Sequence, residues 1–291
     1  MDLSLRSNEN KIQLWLFLSV LGSSLEPVLV KYFSPNVSPL SLIVLKSLVA
    51  GLLIIPFYGR FRKLGKPTYL PLFQVSALAF VTNGLIFLAL QTIPATTLIT
   101  IITVTPLLVA LLNHKRGKAR LTLQFVLAFL AVFIGVILTL EVLYKDASFS
   151  LNLGIGVALL SVITSALYRL KMDTLTNEIN PFTVSVALFV FNGLTSLLIL
   201  PFTDIPKEAI PFGIWLGLAG VVANISFLYA IKHLGSTRVS ILSVMQRPIA
   251  VVFGAILLKE IISEIQVLGM FLIFVGIYFA RMKPVAVKSQ G

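Results

Sequence analysis

The run TYLPLFQVSALAFVTNGLIFLALQTIPATTLITIITVTPLLVALLN, residues 68–113, contains no Asp, Glu, Lys or Arg. A hydrocarbon core about 30 Å thick is crossed by about 20 apolar helical residues. The run is therefore too long for one span and long enough for two. Gln91-Thr92-Ile93-Pro94 supplies the break, because the residue before a proline is pushed out of helical geometry. One tilted helix of this length would exceed any ordinary bilayer thickness.

The same reading extends outward in both directions. The chain has 291 residues, 57% hydrophobic and 12% charged, against roughly 45–50% apolar and about 25% charged in soluble domains. Apolar runs and their polar, Pro and Gly punctuation predict helices over 12–32, 39–58, 69–91, 94–112, 121–141, 151–171, 180–201, 209–231, 238–258 and 264–282. The expected fold is an all-α integral membrane protein of ten transmembrane helices, with no room for a soluble domain. The polar start, residues 1–11, and the lack of a small-residue cleavage site predict a retained first helix. Zero cysteines exclude disulfides, cysteine-ligated zinc and thiol catalysis.

The net charge of +12 could suggest nucleic acid. The basic residues, however, are scattered through short loops, with no basic groove and no interleaved aromatics. Topology accounts for them. Of the 23 Lys and Arg, 17 fall on the side of the termini, including Arg169 and Lys171 at the end of the sixth span, and four on the other; Lys46 and Arg247 lie inside spans. The positive-inside rule then places both termini in the cytoplasm, and the compact design favours a bacterial inner membrane.

The chain also repeats at a spacing near 141 residues. Val81-Thr82-Asn83-Gly84 aligns with Val222-Ala223-Asn224-Ile225, Ala89 with Ala230 and Gly135 with Gly276; with a one-residue shift, Pro106 aligns with Pro248. Five helices per half is an odd number, so the halves, 1–146 and 147–291, enter the membrane in opposite orientations. Inverted repeats of this kind place a binding site near the midplane between halves.

Pro248, Gly254, Glu260, Gln266, Gly269, Leu272-Ile273 and Gly276, with Gly22-Ser23-Ser24 and Pro39 in the first half, resemble the EamA branch of the drug/metabolite transporter superfamily over nearly the whole length. Lys46 stands where many relatives have Arg, and Asn113-His114-Lys115-Arg116 replaces the first-half counterpart of Glu260. The resemblance implies a carrier of amino acids, nucleotide-related compounds or other metabolites. Glu260 resembles the family's Glu at that position and reads as a structural cap or gate.

Charges inside spans cost several kcal/mol and usually face a partner or a cavity. Glu26 and Lys46 fall at matching depth, about 14 and 13 residues from the cytoplasmic end. One reading is a structural ion pair. The other is a cavity that holds a zwitterion's opposite charges, or a Glu26 that exchanges a proton. Arg247 has no acidic neighbour in its span, and its planar fork suits a carboxylate or phosphate; pairing with Glu26, or with carbonyls freed by Pro248, is the structural alternative. Asn83, Asn224, Tyr168, Asn192, Tyr229, Ser243 and Gln246 complete the candidate substrate-binding set, each also suited to interhelical bonding. Trp15 and Trp215 read as interfacial anchors. His114 and His233 have no carboxylate cluster beside them, so no metal or cofactor is expected.

The expected function is secondary transport of a small zwitterionic or anionic metabolite by alternating access, with protons or a counter-substrate as candidate coupling partners. A lipid-carrier or lipid-phosphate flippase is the alternative. A membrane enzyme would need paired carboxylates, a His cluster or a Gly-framed nucleophile, and no Walker-type loop is present. A channel would show rings of like charge or a filter loop. Lys46 and Arg247 argue against a lipophilic-cation exporter.

Overall fold

A computed structural model of the chain describes residues 12–24, 26, 37–59, 66–90, 92–93, 98, 101–117, 122–139, 153–258 and 262–280. Ten helices run through these residues in the expected order. They are α1 Ile12–Ser24, α2 Pro39–Ile54, α3 Lys66–Leu90, α4 Thr105–Lys115 and α5 Leu123–Thr139. The second half supplies α6 Leu153–Glu178, α7 Pro181–Ile199, α8 Ala209–Leu242, α9 Gln246–Leu258 and α10 Glu264–Ala280. Glu260 and the junction at residues 146 and 147 lie outside the described residues.

Local chemistry repeats between the halves. Ser38 caps α2 by accepting from the Ser41 amide at 3.1 Å, with Pro39 in the first turn. Asn180 caps α7 by accepting from the Phe182 amide at 2.9 Å, with Pro181 in the first turn. Each cap satisfies an amide that the helix leaves open, and each proline sits where its missing N–H is harmless. The α4 and α9 helices are both broken just ahead of a proline. A turn at 103–104 precedes α4 and Pro106, and a 3-10 turn, Ser243–Met245, precedes α9 and Pro248. A proline leaves the carbonyl four residues earlier without its partner.

Packing follows the same symmetry. A Cβ on Gly135 of α5 would stand 2.7 Å from the Gly269 carbonyl oxygen and 2.9 Å from the Ile273 amide nitrogen of α10. One on Gly276 would stand 2.8 Å from the Ala128 carbonyl oxygen and 2.9 Å from the Val132 amide nitrogen. Residues 128 and 269, 132 and 273, and 135 and 276 are each 141 apart. The two helices thus exchange one contact across a pseudo-two-fold, the signature of an inverted repeat. The α2 and α7 helices cross at Gly51 and Gly193, where a Cβ on either would lie 3.2 or 3.3 Å from the other's Cα. Small residues at such crossings let backbones approach closely in a membrane.

Two boundaries differ from the sequence reading. The α6 helix continues seven residues past 171, to Glu178, which moves Arg169 from the end of the helix into its interior. The α8 helix passes beyond 231 and is redirected at Gly235, where φ is 77° and ψ is 158°. That geometry is essentially restricted to glycine, so one residue replaces the expected loop.

Buried side chains are distributed unevenly along the bundle. The largest cluster joins Ile54 of α2, Leu72 and Val75 of α3, Met172 and Leu175 of α6, Leu188 of α7 and Leu228 and Ile231 of α8. It lies at the end where α2 finishes and α3 begins. At the other end the described core divides into one cluster between α3 and α6, with Ala89, Leu98 and Ala158, and another between α2 and α8, with Leu42, Phe212 and Leu216. Outward-facing side chains such as Leu52, Leu153, Leu198 and Phe202 are exposed. Apolar surface on this scale faces hydrocarbon, not water. Among the described residues, five stretches, beginning with Leu40–Phe57 and Thr68–Ala89, are long and apolar enough to cross a bilayer.

Candidate functional site

A cavity of about 280 Å³ lies between the two halves. Its walls come from α1, α2 and α3, from their repeat counterparts α6, α7 and α8, and from Gln246 at the start of α9. The α5–α10 pair contributes no lining residue, which fits its position on the symmetry axis away from the site. Ser23, Ser47, Thr82, Asn83, Ser165, Asn192 and Asn224 give the walls hydroxyls and amides, while Ile43, Phe87, Leu188 and Phe227 give them apolar faces.

Glu26, two residues past the end of α1, and Lys46 of α2 both line the cavity. Lys46 Nζ donates to Glu26 Oε1 at 2.5 Å, with the side chains 21% and 29% exposed. The ion pair and its place on the cavity wall therefore coexist in one conformation. Opposite charges in contact lower each other's desolvation cost, and partial exposure to the cavity lowers it further. The Lys46 stem lies along α8 at Gly220, where a Cβ would stand 3.1 Å from Lys46 Cε.

The amides and phenol on the second half form a chain of their own. Asn224 Nδ2 donates to Tyr168 Oη at 3.3 Å, and the Ser185 hydroxyl donates to Asn224 Oδ1 at 3.2 Å. This ties α6, α7 and α8 together in the cavity wall, which Tyr168 and Asn224 both line. Asn83, the repeat counterpart of Asn224, also faces the cavity, as do Asn192 and Gln246. The symmetry that singled out Asn83 and Asn224 in the sequence thus has a spatial counterpart, since both asparagines meet the same space from opposite halves.

Three sequence candidates lie elsewhere. Tyr229 stacks on Trp15 with ring centroids 4.8 Å apart, and its hydroxyl donates to Asn180 Oδ1 at 3.4 Å. It joins α1 to α8 and reaches the cap of α7. Trp15 is consequently engaged with a helix neighbour, while Trp215 is 65% exposed, as an interfacial anchor would be. Ser243 is buried in the 3-10 turn and donates to the Val239 carbonyl at 2.6 Å. Arg247 follows Gln246 but is not among the lining residues.

The guanidinium that does line the cavity is that of Arg169, which a helix ending at 171 had counted as a topology signal. Its Nη1 donates to Ser240 Oγ at 3.2 Å, and its central carbon lies 5.0 Å from the centroid of the Phe227 ring, a cation–π distance. The signal available in the sequence was the helical spacing of Met172 and Leu175 past Lys171, at i and i+3.

Beyond the cavity, at the end sealed by the largest cluster, a polar group ties α4 to the bend in α8. Asn113 Nδ2 donates to Ser236 Oγ at 2.9 Å and to Thr237 Oγ1 at 2.8 Å. The Ser236 hydroxyl in turn reaches Asp173 Oδ2 of α6 at 3.3 Å. Among the described residues no group of three or more His, Cys, Asp or Glu side chains is placed to hold a metal ion.

Comparisons with known proteins agree with this architecture. The EamA-like transporter family matches twice, at residues 10–141 and 152–282, once over each half. An uncharacterized transporter of Archaeoglobus fulgidus is 31% identical over 185 residues, a match that covers 62% of this chain and 63% of the relative. A crystal structure with 17% sequence identity superposes with a TM-score of 0.76, covering 93% of this chain and 97% of the other; at that identity the likeness concerns the fold. With ten helices in two opposed halves, a polar cavity between them and a family match over both, the chain belongs to the EamA-like transporter family.

Proposed function

We propose that this membrane transporter is a secondary carrier of a small zwitterionic or anionic metabolite, working by alternating access. The observation that carries the proposal is the Glu26–Lys46 pair within a cavity bounded by both halves. Charged side chains at membrane depth mark substrate or ion pathways, and a site on a pseudo-two-fold can be uncovered to either side by exchanging the conformations of the two halves. The asparagines and Gln246 offer donors and acceptors for orienting the cargo, and the apolar faces limit its size.

Substrate enters the cavity while one end of the bundle is open, and competes for Glu26 or Lys46. Rocking of one half against the other then closes that end and opens the other. Both termini lie in the cytoplasm in this reading, and a bacterial inner membrane is the site of action.

The test is uptake by proteoliposomes of a panel of amino acids, nucleotides and organic acids, with and without a pH gradient. We expect saturable uptake of at least one class, lost in Lys46→Ala and in Glu26→Gln protein that still folds. Normal uptake in both variants would remove the pair from the mechanism. Stabilisation of the purified protein by lipid phosphates alone would replace this reading by a lipid flippase.

A further inference from the structure

The charges around the cavity do not sum to zero. Lys46 and Arg169 line the cavity with one carboxylate, Glu26, Arg247 follows the lining residue Gln246 in α9, and Glu26 is taken by Lys46 at 2.5 Å. Asp173, the next carboxylate along α6, is engaged by the Ser236 hydroxyl. Glu178, Asp204, Glu208 and Glu264 stand at helix ends or in connections. Among the described residues neither Arg169 nor Arg247 has a carboxylate partner. A cationic side chain at membrane depth without a carboxylate partner is costly.

Arg169 is the one of the two that meets the cavity, and it is held ready. Its hydrogen bond to Ser240 uses one of the five N–H donors of the guanidinium. Phe227, itself a lining residue, fixes the group at 5.0 Å. A planar fork that is already oriented loses little freedom on binding and matches an oxyanion with two parallel bonds. A zwitterion would leave the positive excess unchanged, whereas a net anion would neutralise it.

We propose that the cargo is a net anionic organic acid, a carboxylate or a phosphate monoester, and that Arg169 anchors its oxyanion, with Arg247 supplying field from behind the wall. The Glu26–Lys46 pair then acts as an internal counter-ion pair that the anion loosens by attracting Lys46. This assignment rests on the transporter reading for its physiological meaning, but the anion site can be tested by binding alone.

The purified full chain in neutral detergent is titrated with succinate, glycerol 3-phosphate, leucine and short-chain phosphatidic acid, and thermal unfolding is followed. We expect succinate or glycerol 3-phosphate to stabilise it with an apparent affinity at least tenfold above that of leucine. Loss of one charge-assisted interaction corresponds to about a ten- to hundredfold weakening, which Arg169→Gln should show, with a smaller loss in Arg247→Gln. Arg169→Lys keeps the charge without the fork and should fall between, and it serves if Arg169→Gln does not fold. Stabilisation by leucine above both soluble anions, by phosphatidic acid alone, by none of the four, or with affinity unchanged in Arg169→Gln overturns the proposal. Proteoliposome flux separates the two readings. Anion binding without flux keeps the site and removes the transporter mechanism, whereas flux of leucine that survives Arg169→Gln does the reverse.

Discussion

At the scale of single residues, the Glu26–Lys46 contact makes a stability claim that is separable from transport. Removing either partner strands the other at membrane depth, 21% or 29% exposed, and coupling within a contacting pair amounts to about 0.5–3 kcal/mol. Glu26→Gln and Lys46→Met should each lower the thermal stability of the purified protein. The double variant should lose less than the sum of the two, while uptake remains absent. Additive losses in a double-mutant cycle would show that the pair contributes no coupling. Gly220 offers an independent probe, because a Cβ there would stand 3.1 Å from Lys46 Cε. Gly220→Val should displace the lysine stem and reduce apparent substrate affinity while the protein still folds.

At the scale of helices, close approach and one unusual backbone conformation carry the strongest expectations. A Cβ on Gly269 would stand 2.5 Å from the Thr139 amide nitrogen and 2.6 Å from the Gly135 carbonyl oxygen, contacts with backbone that cannot rotate away. Gly269→Ala should therefore force α5 and α10 apart, at about 1–3 kcal/mol, read as a lower unfolding temperature. Gly235 tests the link between α8 and α9. Its φ of 77° with ψ of 158° is costly for any residue bearing a Cβ, so Gly235→Ala should destabilise by about 1–3 kcal/mol. Thermal stability equal to that of the parent protein would mean that the bend forms without this geometry.

The whole molecule is sealed at one end by its largest buried cluster and by the bonds from Asn113 to Ser236 and Thr237. Under the proposed alternating access this end must part. The absence of cysteine makes the test clean: paired Asn113→Cys and Thr237→Cys substitutions should cross-link under oxidation and stop uptake, and reduction should restore it. Uptake that continues in fully cross-linked protein would place the moving contact elsewhere. An even number of spans predicts both termini on one side, and accessibility tags at each end should then report together.

The span count, the opposed halves and the family were legible in the sequence, because each rests on a property that a linear chain displays directly. The charge-free stretch of residues 68–113 needs two spans whatever its neighbours are, and Gly135 with Gly276 carries its repeat spacing in the numbering. Glu26, Lys46, Asn83 and Asn224, polar residues well inside the predicted spans, could be singled out for the same reason, since depth follows from distance to the predicted span's end. Which way a side chain faces, and what meets it, depends on helix rotation and on partners far away in sequence. Only the tertiary structure therefore placed Tyr229 against Trp15, turned Ser243 back onto its own helix, and left Arg247 outside the lining residues. It also brought Arg169 into the cavity, because packing of α6 against α3, α4 and α8 carried that helix a further seven residues to Glu178, past the lysine at which hydropathy alone had ended it.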